Sequence, residues 1–130
     1  MQLVNDELVL LYNGDSSRGK KTLAYALTMT KRINRQEISS AMISTTVFRV
    51  MLDKLGLRPK DLMNRADPYY QACVRGRDFH DEEWLHLLRK RPDLLRAPIA
   101  MYRGKAVLCE TPTDIFRLMG ERAKTRAVAV

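Results

Sequence analysis

Between the apolar run Glu7-Leu8-Val9-Leu10-Leu11-Tyr12 and an amphipathic segment lies Asn13-Gly14-Asp15-Ser16-Ser17-Arg18-Gly19-Lys20-Lys21-Thr22. A turn from strand to helix presents groups to solvent or ligand. The groups here are backbone N–H, hydroxyls, a carboxylate and cations. No cysteine is among them, so the loop itself cannot carry electrons by thiol exchange. Backbone donors with Lys20 can hold an anion weakly, and Ser16 or Asp15 capping the following helix explains the same residues equally well. The spacing Gly14, Gly19, Lys20 approaches a P-loop, but Lys21 stands where Ser or Thr should hold magnesium and no acidic strand end awaits the metal.

The two cysteines divide by context. Cys73 lies beside Val74-Arg75-Gly76-Arg77, a basic stretch that makes it a candidate redox thiol. Cys109 ends Ala106-Val107-Leu108 and reads first as a small buried hydrophobe, second as a candidate redox group. His80 and His86 are six residues apart, which is not ligand spacing on a helix, and no CxxC or Cys/His cluster exists. No metal and no cofactor is expected.

At 130 residues, with 45% apolar and 29% charged side chains, the chain suits one ordinary core, and we read a single domain. It has no apolar run of about eighteen residues and no export-signal pattern at its start, which implies a soluble, cytoplasmic protein with no membrane partner. The formal charge of +8 is uneven. Residues 31 to 60 hold Lys31, Arg32, Arg35, Arg49, Lys54, Arg58 and Lys60 against Glu37 and Asp53. Such a surface fits an acidic protein or a small oxyanion. Nucleic acid is disfavoured because aromatic residues do not interleave with the basic ones.

Hydrophobic periodicity places the elements that must position these groups. After the first strand, Leu23, Ala24, Ala26 and Leu27 predict a helix from about Ser17 to Lys31, and Gln36-Glu37-Ile38 is a weak strand. Ser44 caps a helix with the stripe Val47, Phe48, Met51, Leu52 and Leu55, ending at Gly56. Pro59 opens a short turn, and Arg65 to Tyr70 is irregular, with helix resuming after Pro68. Tyr69 and Tyr70 read as ordinary packing. Asp81, Glu82 and Glu83 start a helix that buries Trp84, Leu85, Leu87 and Leu88 and stops at Arg91-Pro92. Ile99–Tyr102 and Lys105–Cys109 read as a hairpin across Arg103-Gly104. Thr111-Pro112-Thr113-Asp114 is a helix start whose apolar face is Ile115, Phe116, Leu118 and Met119. Residues 123–130 read as a frayed tail.

This order and its short motifs resemble the arsenate reductase family with its Spx branch. Tyr12-Asn13-Gly14-Asp15-Ser16-Ser17-Arg18 lies on the family's loop. Leu55-Gly56-Leu57-Arg58-Pro59, Asp67-Pro68-Tyr69-Tyr70, Arg91-Pro92-Asp93-Leu94-Leu95, Ala97-Pro98-Ile99 and Gly104-Lys105-Ala106-Val107-Leu108-Cys109 follow in order. The resemblance implies an α/β, thioredoxin-like and glutaredoxin-like fold over residues 1–122, with a central mixed four-stranded sheet and a helical insertion. It also implies a bacterial source and a cis peptide before Pro98.

The departures bear on function. The family's nucleophilic cysteine aligns with Ser16, and a hydroxyl cannot form the mixed disulfide that closes the cycle. Gly14 replaces the loop proline. Ala97 and Glu110 stand where oxyanion-clamping arginines are usual, with Arg65 and Arg96 within a few residues as substitutes. Taken together, these changes imply a scaffold without standard arsenate reductase activity, in effect a pseudoenzyme. Asn13, Gly14, Asp15, Ser16, Ser17, Arg18, Lys20, Arg65, Arg96 and Pro98 are candidates for contact with a small oxyanion or a protein partner, RNA polymerase by analogy with Spx. The alternative is a thiol-dependent oxidoreductase of arsenate reductase type using Cys73 or Cys109.

Overall fold

The computed structural model describes residues 6–119, so the expected tail at 123–130 lies outside the described residues. These residues form two compact units, one built from residues 6–37 with 97–119 and the other from Ile38–Arg96.

The first unit holds the sheet. Strands β1 (Leu8–Tyr12), β2 (Ile33–Glu37), β3 (Ile99–Tyr102) and β4 (Lys105–Leu108) lie in the order β2-β1-β3-β4. β1 runs parallel to β2 and antiparallel to β3, and β3 is antiparallel to β4, which makes the sheet mixed. Leu8, Val9, Leu10 and Leu11 are all buried. Burial on both faces is why this central strand reads as a continuous apolar run rather than an alternating one. Leu8, Leu10, Ala100 and Val107 share a core cluster with Ala26, Ile115 and Leu118. β3 and β4 join through Arg103 and Gly104, both at positive φ (50° and 77°), the geometry of a two-residue hairpin turn whose strands keep their natural twist.

Helix α1 (Ser17–Met29) covers this core with only part of the face that apolar periodicity suggests: Ala26 is buried and Leu23 packs on the cluster, but Ala24 and Leu27 do not. Gly19, Thr22 and Ala26 are the buried residues, whereas Leu27 is 50% exposed and Ala24 is also exposed. Small side chains win because the helix lies close to its neighbours. A Cβ on Gly19 would stand 2.4 Å from the backbone oxygen of Asn13, and Thr22 satisfies its hydroxyl within the helix by donating to the Arg18 carbonyl at 2.7 Å. β2 also begins earlier than expected, at Ile33, and ends before Ile38. Asn34 and Gln36 bond to each other along this edge strand, and its polarity hid it from an apolar pattern. The final segment, Pro112–Met119, winds as a 3₁₀ helix. Ile115 and Leu118, three residues apart, are buried, while Met119 is 46% exposed, because a three-residue turn brings only every third side chain back to one face.

The second unit is helical. α2 (Thr45–Leu55) begins at Ser44, whose Oγ accepts the Val47 N–H at 3.2 Å, and ends at Gly56 with φ 68°. α3 (Asp81–Lys90) begins one residue after His80, whose N–H donates to Glu83 Oε1 at 3.0 Å. It buries Trp84, Leu85 and Leu88 and contacts α2. Short 3₁₀ turns at Pro59–Leu62 and Pro92–Leu94 pack on α3, and Tyr70–Val74 is wound as a π-helix turn.

Candidate functional site

The parallel register pairs Tyr12 with Glu37 at the end of β1, so the Glu37 side chain stands beside the loop that follows. Its Oε1 accepts the Gly14 N–H at 3.1 Å. The Asp15 N–H donates to Asn13 Oδ1 at 3.0 Å, and the Ser16 N–H to the Asn13 carbonyl at 3.0 Å. Three consecutive amides that could have faced a ligand are thus engaged within the protein. Ser16 has extended backbone geometry (φ −85°, ψ 132°) and its Oγ accepts the Gly19 N–H at 3.2 Å, as an N-cap does. No carboxylate or imidazole hydrogen-bonds to this hydroxyl among the described residues. Among the described residues the hydroxyl thus has no hydrogen-bonded base of the kind that activates a serine nucleophile. Asn13, Asp15, Ser17, Arg18 and Lys20 are exposed, and Gly14 and Ser16 half-buried.

Glu37 is the site residue that sequence reasoning missed: it counted as an acid in a basic stretch and as part of a weak strand, with no link to the loop. A parallel register cannot be read from one chain, and nothing in the local pattern around Glu37 announces it.

Pro98 is buried, the Ala97–Pro98 peptide is cis as the resemblance implied, and the Pro98 carbonyl accepts the Cys109 N–H at 2.8 Å. Cys109 is fully buried. Burial pushes its thiol up to about 12, the nearby Asp114 carboxylate adds to this, and Arg117, which pairs with Asp114 at 3.2 Å, opposes it. Such a thiol stays protonated at neutral pH and is a poor nucleophile. Its reading as a small hydrophobe agrees with this environment.

In the helical unit, Arg65 and Arg96 line one cavity of about 270 Å³ with Asp61, Met63 and Asn64. The Arg96 N–H donates to the Leu62 carbonyl at 2.7 Å, and its guanidinium to the Asp61 carbonyl at 3.1 Å. These bonds hold Arg96 in place, and the cavity is lined by two cations and the Asp61 carboxylate. Cys73 is exposed on the π turn. Tyr69 is half-buried, and the Arg91 guanidinium lies 3.5 Å from its ring centre, so this aromatic ring is engaged in a cation–π contact. Among the described residues, no three His, Cys, Asp or Glu side chains gather as metal ligands do, and no helix is long and apolar enough to cross a membrane.

No family model matches the chain, and no curated protein matches it in sequence. Solved structures do. An arsenate reductase from Vibrio cholerae superposes with a TM-score of 0.75 at 19% identity, covering 88% of this chain and 99% of that one. A candidate arsenate reductase from Yersinia pestis gives 0.73 at 21% identity, covering 84% and 97%. An arsenate reductase related protein from Brucella melitensis gives 0.62 at 11% identity, covering 92% and 99%. The chain thus has the arsenate reductase-like thioredoxin fold expected from its motifs: a mixed four-stranded sheet with helices, shared over nearly the whole length of these structures.

Proposed function

We propose that this protein keeps an arsenate reductase-like scaffold, has lost thiol-redox catalysis, and acts as a binding or regulatory protein of the bacterial cytoplasm. One observation carries the reading. The group at the head of α1 is a hydroxyl, Ser16 Oγ, which accepts the Gly19 N–H as a helix cap and, among the described residues, has no hydrogen-bonded carboxylate or imidazole. Reduction of an oxyanion by a thiol requires a sulfur that attacks, forms a bond to arsenic and is then released as a disulfide. Residues 13–22 supply no sulfur, and Cys109 is buried and protonated.

Binding is carried by two features. The exposed side chains Asn13, Asp15, Arg18 and Lys20 form a protein-contact surface rather than an oxyanion cradle, since Glu37 and Asn13 already use the loop amides. The cavity lined by Arg65 and Arg96 takes a small oxyanion. By analogy with Spx, the partner to examine first is RNA polymerase.

The second reading, a thiol-dependent oxidoreductase with a relocated nucleophile, draws on the exposed thiol of Cys73. A coupled assay of arsenate-dependent thiol consumption separates the two. The unaltered chain is expected to give no turnover above the protein-free rate. Turnover that disappears in Cys73→Ser would establish the second reading instead.

A further inference from the structure

A groove of about 290 Å³ opens within the helical unit, lined by Met42, Ile43, Phe48, Leu88, Pro92 and Arg89 among others. Phe48 and Leu88 are buried, at 2% and 0% exposure, and make an apolar floor. Met42 is 88% exposed. A large apolar side chain so exposed on the lip of an apolar groove contributes little to the core, and the flexible thioether adapts to varied apolar surfaces.

Arg89 is the charged side chain of the lining. Lys90 follows it in the last turn of α3, and the first turn of α2, which Ser44 caps at the groove, carries no acidic side chain. The acids of α3 stand in its opposite, first turn, where Asp81 pairs with Arg58 and Glu82 with Arg49. Asp93 is the nearest acid along the chain and is not part of the lining.

We propose that this groove docks an acidic, apolar segment of a partner protein. One bulky apolar side chain seats on Phe48 and Leu88 beneath Met42, and a flanking carboxylate meets Arg89. The volume suits one or two side chains rather than the face of a whole helix. Charge complementarity selects the sign of the partner, and the apolar floor distinguishes it from a merely acidic surface. The groove contains neither cysteine nor any residue of the 13–22 loop, so this inference stands whether or not thiol catalysis has been lost.

The test uses the full chain and three fluorescein-labelled synthetic peptides. The first carries Phe-Leu between paired aspartates, the second has lysines for the aspartates, and the third has alanines for Phe-Leu. Fluorescence anisotropy and the Met42 methyl resonance report binding. The first peptide alone is expected to saturate and to shift the Met42 methyl, with affinity falling about tenfold in Arg89→Gln and in Met42→Ser. Both substituted side chains are exposed, and an unchanged thermal midpoint verifies that each variant is folded. Equal binding of all three peptides, undiminished affinity in the folded variants, or no saturation at millimolar peptide would overturn the proposal. A Met42 shift caused by phosphatidylglycerol vesicles but not by the first peptide would overturn it in favour of a lipid surface.

Discussion

Helices α1 and α2 start in nearly the same way. Ser16 and Ser44 both have extended backbone geometry, and each Oγ accepts the amide three residues on at 3.2 Å. Each carbonyl accepts the amide four residues on at 3.0 Å. Their surroundings differ. At α1 the helix presses its Gly19 against the Asn13 backbone, and Glu37 closes over Gly14. At α2 the approaching segment leaves Met42 almost fully exposed. What distinguishes the first loop is close backbone packing, while its serine does the ordinary work of a cap.

The strongest way to break this comparison is at Gly19. Gly19→Ala places a Cβ against an immobile backbone oxygen, and urea denaturation should show a loss of about 2–3 kcal/mol. Gly14→Ala should cost far less. The atoms it meets belong to the Glu37 side chain, which can swing away.

A second effect appears at alkaline pH and concerns the buried sulfur of the same unit. Burial raises the Cys109 thiol from 9.0 to about 12. Below pH 9 the thiol is neutral in both states and stability is intact. Above 9 the unfolded chain ionises first, so stability falls by about 1.4 kcal/mol per pH unit until the folded state ionises near 12. Cys109→Ala should lose this component of the slope in a pH series of denaturation curves.

The caps themselves come next. Ser16→Ala and Ser44→Ala should each cost about 1 kcal/mol and agree with one another to within about 0.5 kcal/mol. A loss at Ser16 more than twice that at Ser44 would give the first serine a role that its hydrogen bonds do not explain. Glu37→Gln keeps an oxygen acceptor for Gly14 and should cost less than Gly19→Ala in the same denaturation series.

Much of this structure was legible in the sequence where a local cause acts alone. Ser44 with Gly56, the Arg103-Gly104 turn and the run Leu8 to Leu11 each carry their own signal: a capping oxygen, a left-handed turn, burial on both faces. The errors share a different origin. α1 buries Gly19 and Thr22 in place of Leu27 because a close approach between elements outweighs side-chain hydrophobicity. β2 escaped its true bounds because an edge strand need not be apolar. At the candidate site, the sequence pointed to the loop, with Arg65 and Arg96 as substitutes for its arginines; these two line a cavity of the helical unit that includes no loop residue. It could not reveal Glu37, whose position follows from strand register and not from its neighbours in the chain.

The claim on which the functional reading rests is that no sulfur of this protein enters an arsenate-dependent bond. Intact-mass spectrometry after incubation with arsenate and glutathione measures this directly, because thiol-driven reduction passes through a disulfide between protein and glutathione. The account predicts no glutathione adduct that depends on arsenate, in the unaltered chain or in Cys73→Ser. An arsenate-dependent adduct mapped to Cys73 would contradict it.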